Sequence, residues 1–199
     1  MHPNAAFRSE TDPLAFVGHQ GFAHIFGTTP EGPRVAHAPL LVSARGSVMF
    51  HLARGNALAR HLDGIVALAS VGGPGHYVSP NWYQQPASNV PTWNYVAVEL
   101  EGPVRAMDVD ELEELLNLSS ATFEPRVGED WTMAKMDRPK AEAMMRAITG
   151  YELTPTAIRT TLKASQNRSE TDAAGVIAAL ERLGEHAGAA TIRAARKAS

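Results

Sequence analysis

The sequence predicts a mainly β fold with flanking helices (α+β), its strands arranged as an antiparallel barrel. Two observations predict it: apolar strand-like runs joined by turn-length connections, and the lack of the regular strand–helix alternation that a parallel sheet needs. Five or six strands are expected. Neither a GxGxxG after a first strand nor a GxxxxGK[ST] loop occurs, and "GGPG" at Gly72 to Gly75 has the spacing of neither, so a nucleotide-like ligand would not be held in the usual α/β manner.

Each element has its own local reason. Thr11 and Asp12 before Pro13 read as a helix start, with the helix running to Gly18 or His19. Three strands follow, Phe22 to Thr28, Arg34 to Ser43 and Ser47 to Leu52, separated by the turn-rich "PEGP" and "ARG". Leu58 and Leu62, four apart and followed by Gly64, predict a short helix over Arg54 to Gly64. Ile65 to Val71 is a continuous apolar run suited to burial on both faces, and Trp93 to Met107 is a long strand broken only by Gly102 and Pro103. Between those two lies Gly72 to Thr92, rich in Gly, Pro, Asn and Ser and read mostly as loop, yet carrying three large aromatics.

Asp110 with Glu113 forms a capping-box pattern, and Leu112, Leu115 and Leu116 give the spacing of an amphipathic helix. Pro139 opens a further helix with Met144, Met145 and Ile148 inward, closed by Gly150. "YELTPTAIRTTLKAS" returns to strand. From Thr171 a final helix carries Val176, Ile177, Leu180 and Leu183, and the small-residue tail to Ser199 reads as frayed or as a partner surface. The expected organisation is one domain: residues 1–170 as the barrel, with 171–199 as its C-terminal helical appendage.

Composition narrows the function classes. The 199 residues are 44% hydrophobic, and 18 basic against 21 acidic residues leave a formal charge of −3, so bulk charge does not draw this chain to nucleic acid or an acidic membrane. With no cysteine, a disulfide framework, a thiolate zinc site and a cysteine nucleophile are all excluded. No window approaches the roughly 18 apolar residues of a membrane span, and "MHPNAAFRSETDP" lacks a signal pattern, so the expected location is cytoplasmic.

Five clusters carry the functional reading: "AHAPL", "HLARGN", "YVSPNWY", "VPTWNY" and "LKASQN". Their order and wording resemble the PaiB family of FMN-binding split-barrel proteins, described as negative transcriptional regulators, from "PNAAF" at Pro3 to "GVIAAL" at Gly175. The resemblance implies a split antiparallel barrel of the FMN-binding type, a homodimer with flavin at the subunit interface, and a part in transcription that would involve DNA. The chain departs from the family pattern at Thr161, where the family carries a lysine, at Leu162 in place of a tryptophan, and at Gly55 in place of alanine.

FMN chemistry fits these residues. Its phosphate needs cations and hydrogen-bond donors, its ribityl chain polar partners, and its tricycle flat apolar surface. Arg54 and Lys163 are the candidate phosphate cations, with Asn56 and Ser165 beside them; Trp82 and Trp93 offer stacking surface; Thr92, Asn94 and Gln166 address the flavin edge or ribityl chain. His37 and Ser79 complete the candidate set from the family positions.

Plainer readings stand beside these. Arg54 would otherwise pair with a carboxylate such as Asp63, Trp93 would otherwise be core, and Lys163, Ser165 and Gln166 would otherwise end a strand at a solvated turn. The eight histidines allow a metal or haem reading, with His19 and His24, or His37 and His51, meeting across strands, but no H-E-x-x-H helix accompanies them and no metal is expected. No "GxSxG" elbow supports a hydrolase. Three functions remain: an FMN-binding regulator, a flavin-dependent oxidoreductase with no evident acid or base, and a haem-binding protein on the same barrel. The only basic concentration, "IRAARK" at Ile192 to Lys197, reads as a solvated tail.

Overall fold

The computed structural model describes residues 2, 4–7 and 12–197. Pro3, Thr11 and Ser199, on which the start of the family resemblance, the first helix start and the end of the tail fall, lie outside the described residues. The elements in chain order are α1 Pro13–Gln20, β1 Phe22–Thr29, β2 Gly32–Val42, β3 Val48–Ala53, β4 Val66–Val78 and β5 Thr92–Ala106. They continue with α2 Val109–Val127, α3 Arg138–Met145, β6 Ile148–Leu153, β7 Ala157–Lys163, α4 Glu170–Arg182 and α5 His186–Lys197. Among the described residues seven strands form one sheet in the order β4-β1-β2-β3-β6-β5-β7, and pairing of β4 with β5 closes the first six into a ring. Closure removes the edges that those six strands would present as an open antiparallel sheet, and β7 adds to the ring on β5.

The chain divides into two compact units, residues 13–71 with 99–158 and residues 1–12 with 72–98 and 159–199. In the larger unit the β1–β2 hairpin pairs Phe22 with Pro39, His24 with His37 and Phe26 with Val35, while β3 pairs with β6 from Val48↔Leu153 to Ala53↔Ile148. Strand alternation sends Ala23, Ile25, Ala36, Ala38, Leu40, Val48, Phe50 and Leu52 into the core, all buried. Phe50 stacks on Tyr151 with ring centroids 5.6 Å apart, and the Tyr151 hydroxyl donates to the Ala59 carbonyl at 2.6 Å, so this ring is buried without orphaning its polar end.

Several boundaries differ from the sequence expectation. Arg54 to Gly64 holds only a 3₁₀ turn at Ala59–His61, because Leu58 and Leu62 are both fully buried from a single turn and need no longer helix. The capping box of α2 is Asp108 with Glu111, two residues before the expected pair. There the Asp108 carboxylate accepts from the Glu111 amide at 2.9 Å, and the Glu111 carboxylate accepts from the Asp108 amide at 3.0 Å. Helix α3 starts after the cap Asp137 and ends at Met145, so Ile148 and Gly150 belong to β6 and Met144 is 57% exposed rather than inward. Strand β5 runs through Gly102 and Pro103 without a break.

The smaller unit differs more. Strand β4 continues through "GGPGHYV" to Val78, beyond the Val71 expected, and the remaining connection is ordered by two 3₁₀ turns, Pro80–Trp82 and Pro86–Ser88. Instead of a frayed tail, α5 packs with α4 around Val78, Tyr83, Ala164, Val176, Leu180, Ala189, Ile192 and Ala195, all buried. Each large side chain in that cluster contributes roughly 1.5–3 kcal/mol by leaving water. Leu183, expected inward, is 63% exposed at the end of α4. Two close approaches fix the helices. A Cβ on Gly175 of α4 would lie 2.2 Å from the Trp82 carbonyl oxygen, and one on Gly188 of α5 would lie 2.5 Å from Nδ1 of His76.

His76 is 6% exposed and neither ring nitrogen has a hydrogen-bond partner among the described residues. Burial lowers its pKa, with Glu185 opposing in part. A histidine whose folded pKa is depressed leaves stability intact above its unfolded value of about 6.5 and erodes it as pH falls from there toward the folded value. Unfolding midpoints measured by circular dichroism should therefore fall below about pH 6.5, and His76→Leu should flatten that slope; an unchanged slope would clear His76 of the effect.

Candidate phosphate-binding cavity

Within the smaller unit, the start of β5, the end of β7 and the turn after it converge on a cavity of about 200 Å³. Thr92 and Asn94 are two apart on β5 and so share one face, and both line the cavity with Lys163 and Ser165. The Lys163 ammonium donates to the Thr92 hydroxyl at 2.5 Å and lies 5.8 Å from the Phe7 ring centroid. Asn94 and Ser165 are buried, and the Asn94 amide donates to the Ser165 hydroxyl at 2.9 Å.

The turn that presents Lys163 and Ser165 is held by Gln166. Its Oε1 accepts from the Ala164 amide at 2.7 Å and its Nε2 donates to the Leu162 carbonyl at 2.5 Å. Ser165 itself sits at φ 58°, a left-handed conformation that a non-glycine residue adopts at a cost of about 1–2 kcal/mol and that clusters at ligand sites. Thr161, where the family carries a lysine, is buried and its hydroxyl accepts from the His2 amide at 3.2 Å.

A second cation, Arg168, lines the same cavity; it lies one residue beyond the "LKASQN" cluster and was not among the residues expected there. Its guanidinium lies 4.5 Å from the Tyr83 ring centroid and donates to Oδ1 of Asn89 at 2.7 Å. Arg196 of α5 reaches the carbonyls of Arg168 at 3.1 Å and Ser165 at 3.4 Å, so the "IRAARK" segment props this turn. Tyr83, also lining the cavity, has a buried hydroxyl with no partner among the described residues. The spacing of Lys163 and Arg168, five residues apart across a tight turn, was the available clue to the second cation.

The other candidates occupy different places. Trp93 projects from the opposite face of β5, 58% exposed, with its ring edge-on to Tyr77 at 6.2 Å. Trp82 is half-buried against the α4–α5 cluster. The Ser79 hydroxyl accepts from the Asn81 amide at 3.2 Å as the cap of its 3₁₀ turn.

Arg54, Asn56 and His37 belong to the larger unit. Arg54 lines a cavity of about 410 Å³ with Asp108, Asp110, Glu113, Glu142, Arg138 and Arg146, and its Nε donates to the Arg146 carbonyl at 2.7 Å. Asp63, the alternative partner from sequence, instead accepts from the Ala106 amide at 2.8 Å. Asn56 folds back to accept from the Leu58 amide at 2.9 Å. His37 meets His24 directly across the β1–β2 hairpin, Nδ1 to Nδ1 at 2.6 Å; this is neither of the histidine pairings expected from sequence. No group of three or more metal-ligating side chains occurs among the described residues. Among the described residues, no helix is long and apolar enough to cross a membrane.

The electrostatic contrast between the two cavities is plain. The larger one sets four carboxylates among three arginines, whereas Lys163 and Arg168 line the smaller one with no carboxylate among its described lining residues. An anion with several acceptor oxygens is better matched to the second, where two cations, hydroxyls and amides converge.

Comparison with known proteins bears on the family and the fold. A family model described as "Putative FMN-binding domain" matches residues 1–157. "Protease synthase and sporulation protein PAI 2" of Bacillus subtilis (strain 168) is 31% identical over 170 residues, covering 83% of this chain and 81% of that protein. The flavocytochrome Anf3 from Azotobacter vinelandii superposes with a TM-score of 0.60 at 15% identity, over 78% of this chain and 68% of that one. The FAD and heme binding protein from Mycobacterium smegmatis gives 0.60 at 17% identity, over 78% and 72%. At those identities the two structures speak for the fold alone, a split antiparallel β-barrel. The extent of the family match and of the Bacillus relationship establishes that this chain belongs to the PaiB-like family of FMN-binding domains.

Proposed function

We propose that this protein binds FMN, with the phosphate seated between Lys163 and Arg168. The observation that carries the reading is the cavity's polarity: two cations and the Thr92, Asn94 and Ser165 side chains, with no carboxylate among its described lining residues. The Tyr83 hydroxyl, which has no partner among the described residues, adds a buried polar atom beside it. These residues fit a phosphate dianion, and the bound flavin would supply the capacity for hydride or electron transfer.

A cavity of about 200 Å³ is smaller than the roughly 300–1,000 Å³ that enclose ligands of this size, so it suits the phosphate end and leaves the tricycle to be covered elsewhere. A second copy of the chain is the proposed cover, giving a homodimer with flavin at the subunit interface. A role in transcription is a separate proposal that rests on the family resemblance. The basic residues of α5 lend it no support, since Arg193 pairs with Glu181 at 2.5 Å and Arg196 holds the turn carbonyls.

The test is a titration of purified protein with FMN, followed by flavin fluorescence and visible absorption, with the mass in solution measured alongside. Saturable binding at one flavin per chain, with a dimeric mass, is expected. Absence of saturation at any accessible concentration would defeat the reading.

A further inference from the structure

A second cavity, of about 320 Å³, lies wholly within the larger unit, and its lining is of a different kind. Four of the chain's seven methionines, Met133, Met136, Met144 and Met145, line it together with Trp131 and His51. Its remaining lining is Leu116, Ala141, Ile148 and two serines, of which Ser120 already donates to the Leu116 carbonyl at 3.1 Å. No charged side chain lines it among the described residues.

His51 supplies the polar point. It alternates with the buried Phe50 and Leu52 on β3 and therefore faces away from the barrel core, and its cross-strand neighbour on β6 is Gly150, which has no side chain to cover it. No hydrogen bond engages its ring nitrogens among the described residues. Burial lowers its pKa, so the imidazole is neutral at neutral pH and can donate from one nitrogen and accept at the other. Trp131 and Met144, 41% and 57% exposed, form the rim.

We infer that this cavity binds a neutral, planar aromatic molecule carrying one hydrogen-bonding oxygen, its ring held among the thioethers and Trp131 and its oxygen on His51. The volume is that of a small-ligand pocket. Thioethers adapt to irregular apolar shapes and contact aromatic edges favourably, as four methionines around one space allow. The uncharged lining would leave an ionised ligand desolvated and unpaired, which selects for neutrality. His51 then fixes orientation, because its neutral imidazole offers both a donor and an acceptor, while the Ser120 hydroxyl already donates to the Leu116 carbonyl.

The probe is 2-naphthol, titrated into the full chain by calorimetry and by quenching of tryptophan fluorescence, with naphthalene and 2-naphthalenesulfonate as comparisons. One 2-naphthol per chain is expected to bind saturably, with naphthalene about five- to tenfold weaker for want of the hydrogen bond and the sulfonate weaker still. His51→Phe should bring 2-naphthol and naphthalene to equal affinity, and Met136→Gln should weaken both. Excess FMN should leave the 2-naphthol isotherm unchanged, which separates this site from the flavin site. Absence of saturable binding, displacement of 2-naphthol by FMN, or silver(I) binding without 2-naphthol binding would each overturn the inference, the last in favour of a thioether metal site.

Discussion

Replacing Lys163 by glutamate is expected to reduce FMN affinity by more than about 100-fold while leaving the fold intact. The ammonium meets the Thr92 hydroxyl at 2.5 Å at the wall of the cavity, so a phosphate entering there gains a charge-assisted hydrogen bond. Such bonds contribute about 1.5–3 kcal/mol, or roughly 10- to 150-fold in affinity, and glutamate replaces that gain with repulsion of a dianion. Lys163→Ala should fall between the two. Folding should survive because the residue ends β7 at the surface of the cavity and not in the apolar cluster around Leu180 and Ile192. The comparison variant is Arg54→Ala. If that change weakens FMN more than Lys163→Glu does, the phosphate lies in the carboxylate-rich cavity and the assignment to Lys163 is wrong.

Gly175→Ala is expected to destabilise the protein by about 2–3 kcal/mol, and Gly175→Val by more. A Cβ at this position of α4 would stand 2.2 Å from the Trp82 carbonyl oxygen, far inside contact distance, and backbone on the other side leaves nothing soft to move. The helix would have to lift from the 3₁₀ turn, disturbing the bond from the Gln84 amide to the Asp172 carboxylate at 2.9 Å. Gly72→Ala is the matched control, since a Cβ there meets no atom within 4 Å. Urea midpoints of the two variants measure the difference. Equal midpoints would mean that α4 is not seated on this carbonyl.

What the sequence made legible followed from hydrophobic spacing. Strand β5 runs Thr92–Ala106 against an expected Trp93 to Met107, and β1 to β3 sit within a few residues of the runs that announced them. Where spacing was ambiguous, packing decided. Leu58 and Leu62 satisfy helical spacing, yet a single 3₁₀ turn buries both. Small residues concealed α5: Ala189, Ile192 and Ala195 recur every three residues and form a buried stripe, but alanines carry little weight in a hydrophobic pattern. Glycine density concealed the second half of β4, because Gly72 and Gly75 suggest loop wherever a paired strand is not already known.

The candidate cavity was half legible. Thr92, Asn94, Lys163 and Ser165 were named from the sequence and the structure brings them together, while Gln166 proves to hold their turn from behind. Arg168 escaped because its partner ring, Tyr83, is 85 residues away in the chain. Trp93 illustrates a physical limit of motif reading: "TWN" reads as one cluster, but strand alternation turns the tryptophan to the face opposite its two neighbours.

The central claim is that the phosphate of FMN is held by Lys163 and Arg168, and matched titrations with FMN and riboflavin test it most directly. The two ligands share the tricycle and the ribityl chain and differ in the phosphate. The account predicts that wild-type protein binds FMN at least about tenfold more tightly than riboflavin, and that the gap closes in Lys163→Ala with Arg168→Ala. Equal affinity for the two ligands in the wild type, or a gap that persists in the double variant, would contradict it.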